Sequence, residues 1–322
     1  MDKPVQTNIL IVGTGFGGLC MGAKLKQSGK DDFIILEKAA DVGGTWRENR
    51  YPGAECDIAS ALYSYSFYPN PTWDFKWARQ KQILEYLNRF ADDMNVRKHI
   101  EFGQCVSYAK FNAGAGRWDV QTEDGTRYSA RFLVTALGQL HHAKIPDFEG
   151  RDVFKGAQFH IAEWPERIDL DRKNVAIIGN AASAIQAIPE IAKSVKNLTI
   201  YQRSANWIVP KRDRPYTRFE KRLATWMPGL SKLYRGFWFG VGEFLMYPMI
   251  RGRKLRSWLG RALCRSEMKK FIKDPQMRAA LTPDYPIGAK RILLSETYYP
   301  ALARENVDLV TTPIKSFTDR AI

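Results

Sequence analysis

The chain is poor in cysteine, with only Cys20, Cys56, Cys105 and Cys264 among its 322 residues. No two of them stand in CxxC spacing, and they share no metal-like cluster with the four histidines. A disulfide framework, a redox-active CxxC pair and a bound metal are therefore not expected, and the pattern fits a reduced, cytoplasmic protein. No apolar export segment follows the first basic residue, because Asn8–Val12 runs straight into a glycine turn; a signal peptide is not expected either. Low-complexity tracts and tandem repeats are lacking, apart from two related strand–turn–helix–strand units. Acidic residues are scarce in one place only. Between Arg203 and Arg291 there are 21 Lys and Arg against 6 Asp and Glu, whereas the rest of the chain is balanced at 28 against 28. That segment accounts for the whole net charge of +15. A basic face of this kind attracts the phosphates of a cofactor, nucleic acid or anionic lipid, or is simply a solvated helical surface.

What is present reads as an α/β protein with two Rossmann-like dinucleotide-binding domains and a mostly helical insertion. Asn8–Val12 is a short apolar run of the kind found in buried parallel strands, followed by a glycine turn, a helical pattern that stops at Gly29, and a second strand at 33–36. Lys81–Met94 is amphipathic and predicts a helix. Arg117–Thr122 and Arg127–Thr135 flank Asp124-Gly125, a hairpin signal. The pattern then breaks down into a linker with Pro146 and Pro165. A second unit follows: a strand at 175–178, a helix through Ile191, and a strand at 198–202. The expected boundaries are 1–140 for the first domain, 141–172 for the linker, 173–292 for the second domain with its insertion at about 212–283, and 293–322 for the start of a return to the first domain, with Asn306-Val-Asp-Leu-Val310 as its first strand.

Gly13-Thr-Gly15-Phe-Gly-Gly18 satisfies G-x-G-x-x-G directly after a strand and at the start of a helix. The first glycine permits the tight turn, the second lets backbone approach a pyrophosphate, and the third lets helix and strand pack closely. Glu37 ends the next strand, where a carboxylate accepts hydrogen bonds from ribose hydroxyls and repels a 2′-phosphate. This end of the chain predicts an FAD (or NAD) site. The second unit, Gly179-Asn-Ala181-Ala-Ser-Ala184, departs from the motif at Ala181, whose Cβ stands where a pyrophosphate would approach. Arg203 lies 24 residues after Gly179, the offset that separates Glu37 from Gly13. A cation there suits the 2′-phosphate of NADPH. The plainer alternative is a vestigial fold that binds nothing. Two dinucleotide sites on one chain suggest reduction of a bound flavin by NADPH, and without a CxxC pair oxygen chemistry is preferred to disulfide reduction.

Phe154-Lys-Gly156-Ala-Gln-Phe-His160-Ile-Ala-Glu-Trp164-Pro165 matches F-x-G-x-x-x-H-x-x-x-W-[PD] at every fixed position. With it the chain resembles the type I Baeyer–Villiger monooxygenases, whose sister family, the flavin-containing monooxygenases of nitrogen and sulfur, usually has Tyr where Trp164 stands. Gly43-Gly-Thr45-Trp46 and Arg50-Tyr-Pro-Gly-Ala-Glu-Cys-Asp57 resemble the flavin-contacting loop, with Asp57 in the place of an active-site aspartate. Tyr285-Pro-Ile-Gly-Ala-Lys290-Arg291 resembles the segment with the NADP-contacting lysine and the active-site arginine, and Gln202-Arg203-Ser204 the 2′-phosphate loop. The resemblance implies FAD contacts from Gly13, Gly15, Gly18, Glu37, Thr45, Trp46, Asp57 and Tyr63, and NADP contacts from Gly179, Ser183, Arg203, Ser204 and Lys290. Phe154, Gly156, His160 and Trp164 are the fingerprint positions, and of these His160 and Trp164 would couple the linker to movement of the NADP domain rather than transfer protons. Two departures accompany Ala181: Ala136-Leu137-Gly138 replaces the usual Ala-Thr-Gly, and family members continue well past Ile322, which makes the chain resemble a C-terminally truncated member.

The activity that this resemblance implies converts a ketone to an ester or lactone with NADPH and O₂ through a C4a-peroxyflavin, with Arg291 stabilising anionic oxygen and Asp57 orienting Arg291. The alternatives are a heteroatom oxygenase and an inactive FAD-binding fragment. The partners expected are a small ketone and O₂, with no nucleic acid. Residues 232–256 set an apolar, aromatic stretch, Gly236–Ile250, between cations. They read either as a lid over the substrate pocket or as a peripheral contact with a membrane, since fifteen residues are too few to span one.

Overall fold

The structure is a computed structural model that describes residues 3–322, and the chain divides into two compact units. The first comprises the chain up to Asn49 together with Gln80–Ala143. Its elements run β1 (Val5–Val12), α1 (Phe16–Gln27), β2 (Phe33–Glu37), α2 (Thr45–Glu48), α3 (Gln80–Asp93), β3 (Ile100–Phe102), β4 (Val106–Asn112), β5 (Arg117–Thr122) and β6 (Arg127–Thr135). They build one six-stranded sheet of order β3-β2-β1-β6-β5-β4. β3, β2, β1 and β6 are parallel, while β4 and β5 run antiparallel beyond β6. Leu10 and Leu36 pack with Val120, Tyr128 and Ala130 in a buried cluster. The helix α3 buries Ile83, Tyr86, Leu87, Phe90 and Ala91, the i, i+3, i+4 stripe of its amphipathic sequence.

The second unit comprises Arg50–Arg79 and Lys144–Ile322. It contains β7 (Asn174–Ile178), α4 (Ala182–Ile191), β8 (Asn197–Tyr201), β9 (Ile208–Val209), α5 (Arg218–Trp226), α6 (Pro228–Val241), α7 (Tyr247–Ile250), α8 (Lys254–Phe271), α9 (Pro275–Ala280), β10 (Leu293–Leu294), α10 (Tyr298–Leu302) and β11 (Val307–Val310). A π turn, Gly242–Met246, joins α6 to α7. The three-stranded sheet has the order β11-β8-β7, all parallel, and β9 pairs with β10. The core around this sheet takes Ile185, Ile188 and Ile191 from α4, Leu198 and Ile200 from β8, Tyr298 and Leu302 from α10, and Tyr51 and Ala54 from the loop 50–57.

Two expectations are corrected here. Residues 50–79, expected within the first domain, group with the second unit, because Gln186, Lys211 and Asp213 hold them there. The strand at 307–310 does not open a return to the first sheet but pairs with β8, from Val307 with Leu198 to Val310 with Tyr201. Asn306 fixes the arrangement, because its Nδ2 donates to the carbonyls of Ala192 and Val195 at 3.1 Å each, while Leu198 N–H donates to the Asn306 carbonyl at 2.8 Å. With α10 buried in the same core, the short connection between α10 and β11 delivers the strand to the open edge of β8.

Candidate active site and cofactor-binding turns

In the first unit, the turn between β1 and α1 is held by Gly13, at φ +102°, whose N–H donates to the Leu36 carbonyl at 2.8 Å. A Cβ on Gly13 would lie 2.6 Å from the Ala136 carbonyl oxygen, and one on Gly18 only 1.8 Å from the Gly13 oxygen. These two glycines are required by backbone contact. Gly15 differs: a Cβ there would meet nothing closer than Gly44 Cα, at 3.9 Å. The N–H of Gly43 donates to the Thr14 carbonyl at 3.1 Å and draws the 43–44 backbone alongside. The result is a cradle free of side chains at the start of a twelve-residue helix, shaped for backbone N–H groups to meet a pyrophosphate. Glu37 is buried; its Oε2 accepts from Thr14 N–H (2.9 Å) and Thr14 Oγ1 (2.6 Å), and its Oε1 from Ala39 N–H (3.0 Å). A carboxylate has about four acceptor positions, so one is left for a ribose hydroxyl. Thr45 is exposed at the start of α2, and the carbonyl of half-buried Trp46 accepts from Gln80 Nε2.

The turn of the second unit reproduces this backbone. Gly179 also has φ +102°, its N–H donates to the Tyr201 carbonyl at 2.8 Å, and Ala181 (φ −72°, ψ −176°) matches Gly15 (φ −71°, ψ −170°). Alanine adopts these angles without strain, so the substitution changes surface and not chain path. Because Gly13 bonds to Leu36 and Gly179 to Tyr201, the residue equivalent to Glu37 is Gln202, one position before Arg203. The equal offset of 24 residues is thus corrected by a one-residue difference in loop length. Gln202 is buried, and its Oε1 accepts from Asn180 Nδ2 at 2.7 Å, as Glu37 accepts from Thr14. A neutral amide replaces the carboxylate that would repel a phosphate. Arg203 is exposed immediately beyond, and Lys290 Nζ donates to Ser204 Oγ at 3.0 Å while lying 4.5 Å from the centre of the Tyr285 ring. Lys290 and Ser204 therefore meet just beyond β8, with Arg203 next to Ser204 in the chain. Sequence reasoning missed Asn180 and Gln202; the signal was Asn180 following Gly179 as Thr14 follows Gly13.

Asp57 and Arg291, 234 positions apart, form an ion pair in the second unit. Asp57 is mostly covered, whereas the Arg291 side chain is 61% exposed and keeps donors available for a ligand. The loop carrying Asp57 is pinned to α4 by Gln186, which accepts from Tyr51 Oη at 2.9 Å and donates to the Glu55 carbonyl at 3.0 Å. Gly53, at φ +79°, lets the loop pass within reach of the Gln186 carbonyl, which a Cβ would approach to 2.4 Å. Ser183 sits beside Tyr51, whose hydroxyl is raised above its ordinary value, chiefly by burial. Burial pushes the neighbouring Cys56 thiol up to about 12, so Cys56 is no nucleophile at neutral pH. Glu55 pairs with Lys211 at 2.5 Å and with Arg79, which also reaches Asp213 at 2.9 Å. Burial lowers the Lys211 ammonium to about 8. Tyr63, half-buried, donates its N–H to the carbonyls of Ala59 and Ser60.

The linker motif folds as two local pieces. Gly156 lies under the Phe154 ring, which a Cβ would meet at 2.4 Å, and Phe154 makes an edge contact with Phe317 at 6.0 Å. His160 caps the short 3₁₀ turn Ile161–Glu163 by accepting the Ala162 N–H at Nδ1, 3.2 Å away. Trp164 packs edge-on against Phe159 at 5.1 Å and reaches the second core. Among the described residues no group of His, Cys, Asp and Glu could hold a metal ion.

A family model described as pyridine nucleotide-disulphide oxidoreductase matches residues 10–227. A Baeyer–Villiger monooxygenase of Streptomyces coelicolor is 42% identical over 95% of this chain, and one of Pseudomonas aeruginosa 39% identical over 98%. The chain spans 59% of the length of each. Among solved structures, cyclohexanone monooxygenase from Rhodococcus sp. Phi1 bound to NADP+ superposes with a TM-score of 0.85 at 28% identity, covering 98% of this chain and 67% of that one. A steroid monooxygenase bound to NADP gives 0.83 at 30% identity, with 98% and 68% covered. The four cysteines here are all free thiols, so the disulphide in the family's description has no counterpart in this chain. The chain belongs to the pyridine nucleotide-disulphide oxidoreductase family, on its Baeyer–Villiger monooxygenase branch.

Proposed function

We propose that this chain binds FAD at the Gly13 turn and NADPH at the Gly179 turn, and serves an enzyme that oxygenates ketones to esters or lactones with O₂. The observation that carries the reading is the Asp57–Arg291 pair, formed by residues far apart in sequence within the unit that holds the second turn. FAD, when bound, supplies hydride acceptance and oxygen activation, which no protein side chain provides. The residues fit it: Gly15 and Gly44 leave a cradle that a Cβ would begin to fill, and Glu37 retains one acceptor. Arg291 is a permanent cation whose exposed donors can hold a negatively charged oxygen, and Asp57 limits the orientations it samples. Arg203, Ser204 and Lys290 provide charge-assisted hydrogen bonds for a 2′-phosphate, and Gln202 removes the repulsion that Glu37 would exert there.

The expected result is ester formation carrying one atom of ¹⁸O₂ when FAD-loaded protein receives NADPH and a panel of linear and cyclic ketones. Oxidation of sulfides with every ketone untouched would replace this reading by a heteroatom oxygenase. NADPH consumption without any oxygenated product would leave a dinucleotide-binding protein.

A further inference from the structure

The helical part of the second unit carries a surface that the cofactor turns leave unused. Trp226 closes α5, and Leu233, Phe237 and Phe244, spaced by four and seven residues, fall on one face of the helical run that α6 continues through the π turn into α7. They are 81%, 73%, 61% and 75% exposed. The opposite face is already occupied: Arg235 donates to the carbonyls of Ala61 (2.8 Å) and Leu62 (3.2 Å), and Met249 is buried. A helix facing only water would carry polar residues on its outer side, and a contiguous apolar patch of this kind is built to be covered.

Charge decides what covers it. Arg251, Arg253, Lys254 and Arg256 are all exposed at the junction of α7 and α8, next to exposed Leu255 and Trp258, and the exposed acid of α6–α7 is Glu243. A second copy would set this cationic rim against its own like charges. An anionic bilayer satisfies both parts, because aromatic side chains enter the headgroup boundary while the cations reach lipid phosphates. No helix among the described residues is long and apolar enough to cross a membrane, so the contact lies in the plane of the surface. A recess of about 280 Å³ between α5, α6 and the loop 61–73, lined by Tyr216, Leu223, Ala224 and Tyr234, shares Leu230 with the exposed face and has room for part of an acyl chain.

We infer that the α6–α8 surface docks this protein on anionic lipid bilayers. Flotation with vesicles of phosphatidylcholine alone, or with phosphatidylglycerol added to give the surface a negative potential, tests it with the full chain. Binding is expected to the anionic vesicles only, and to weaken as salt rises. Replacing Arg251, Arg253, Lys254 and Arg256 by Gln should lower the partition coefficient by about a hundredfold or more. L233S/F237S/F244S, checked for retained far-ultraviolet circular dichroism, should abolish binding although every cation remains. Absence of binding to anionic vesicles at low salt would overturn the inference. So would binding unaffected by the Ser substitutions, which would mean bare electrostatic adsorption, or a dimer in light scattering that these substitutions dissolve.

Discussion

Gly15 and Gly18 stand three residues apart in one motif, yet the structure gives them different work. A Cβ on Gly18 would sit 1.8 Å from the Gly13 oxygen, whereas one on Gly15 meets nothing closer than Gly44 Cα at 3.9 Å. Gly18→Ala should therefore destabilise the first unit, by about 1–3 kcal/mol or more as overpacking does, in urea unfolding. Gly15→Ala should unfold at an unchanged midpoint but bind FAD more weakly in a flavin fluorescence titration. Equal stability losses in the two variants would show that the turn is not built as described. At the second turn, Arg203→Ala should weaken NADPH by about 1.5–3 kcal/mol, the range for a hydrogen bond to a charged group, with NADH little changed. Lys290→Ala should act in the same direction. An equal loss for both dinucleotides would remove these residues from the 2′-phosphate site.

At the scale of elements, the loop 50–79 is the part that the sequence pattern misplaced, counting it in the first domain although it groups with the second unit. It lacks helix and strand periodicity, and its attachment to the second unit rests on Gln186, Lys211 and Asp213, more than a hundred positions away. Lys211 is 6% exposed, and removing it would leave the Glu55 carboxylate with Arg79 alone. Lys211→Met is expected to destabilise the second unit by about 3 kcal/mol, near the lower end for breaking a buried pair. Urea unfolding followed through a reporter in that unit checks it, and a change below about 1 kcal/mol, the worth of an exposed pair, would show that solvent screens the cluster. The regular elements were far more legible. Both strand–turn–helix–strand units, the α3 amphipathic stripe and the hairpin at Asp124-Gly125 followed from short-range periodicity and turn chemistry. The strand β11 was legible as a strand but not in its pairing, because its partner is chosen by Asn306 and the α10 core.

At the scale of the whole chain, the two kinds of site residue were legible for different reasons. The glycines at 13, 15, 18 and 179 follow from what a turn between strand and helix demands, and their conformations agree. Asp57 and Arg291 carry no such local signal, since an isolated acid and an isolated arginine are ordinary surface residues; only the family resemblance singled them out, and the fold brings them together. Arg203 lay between these cases: equal offsets suggested the equivalence with Glu37, but a one-residue difference in loop length puts Gln202 there. The proposed division of labour assigns reduction to the dinucleotide turns and oxygen transfer to Arg291. Its most direct test is a rapid-mixing comparison of FAD-loaded wild type and Arg291→Ala, reduced anaerobically with NADPH and then mixed with O₂ and a ketone. Flavin bleaching should proceed at similar rates in both proteins, and ester should form in the wild type alone. Ester formation by Arg291→Ala at the wild-type yield would contradict the account.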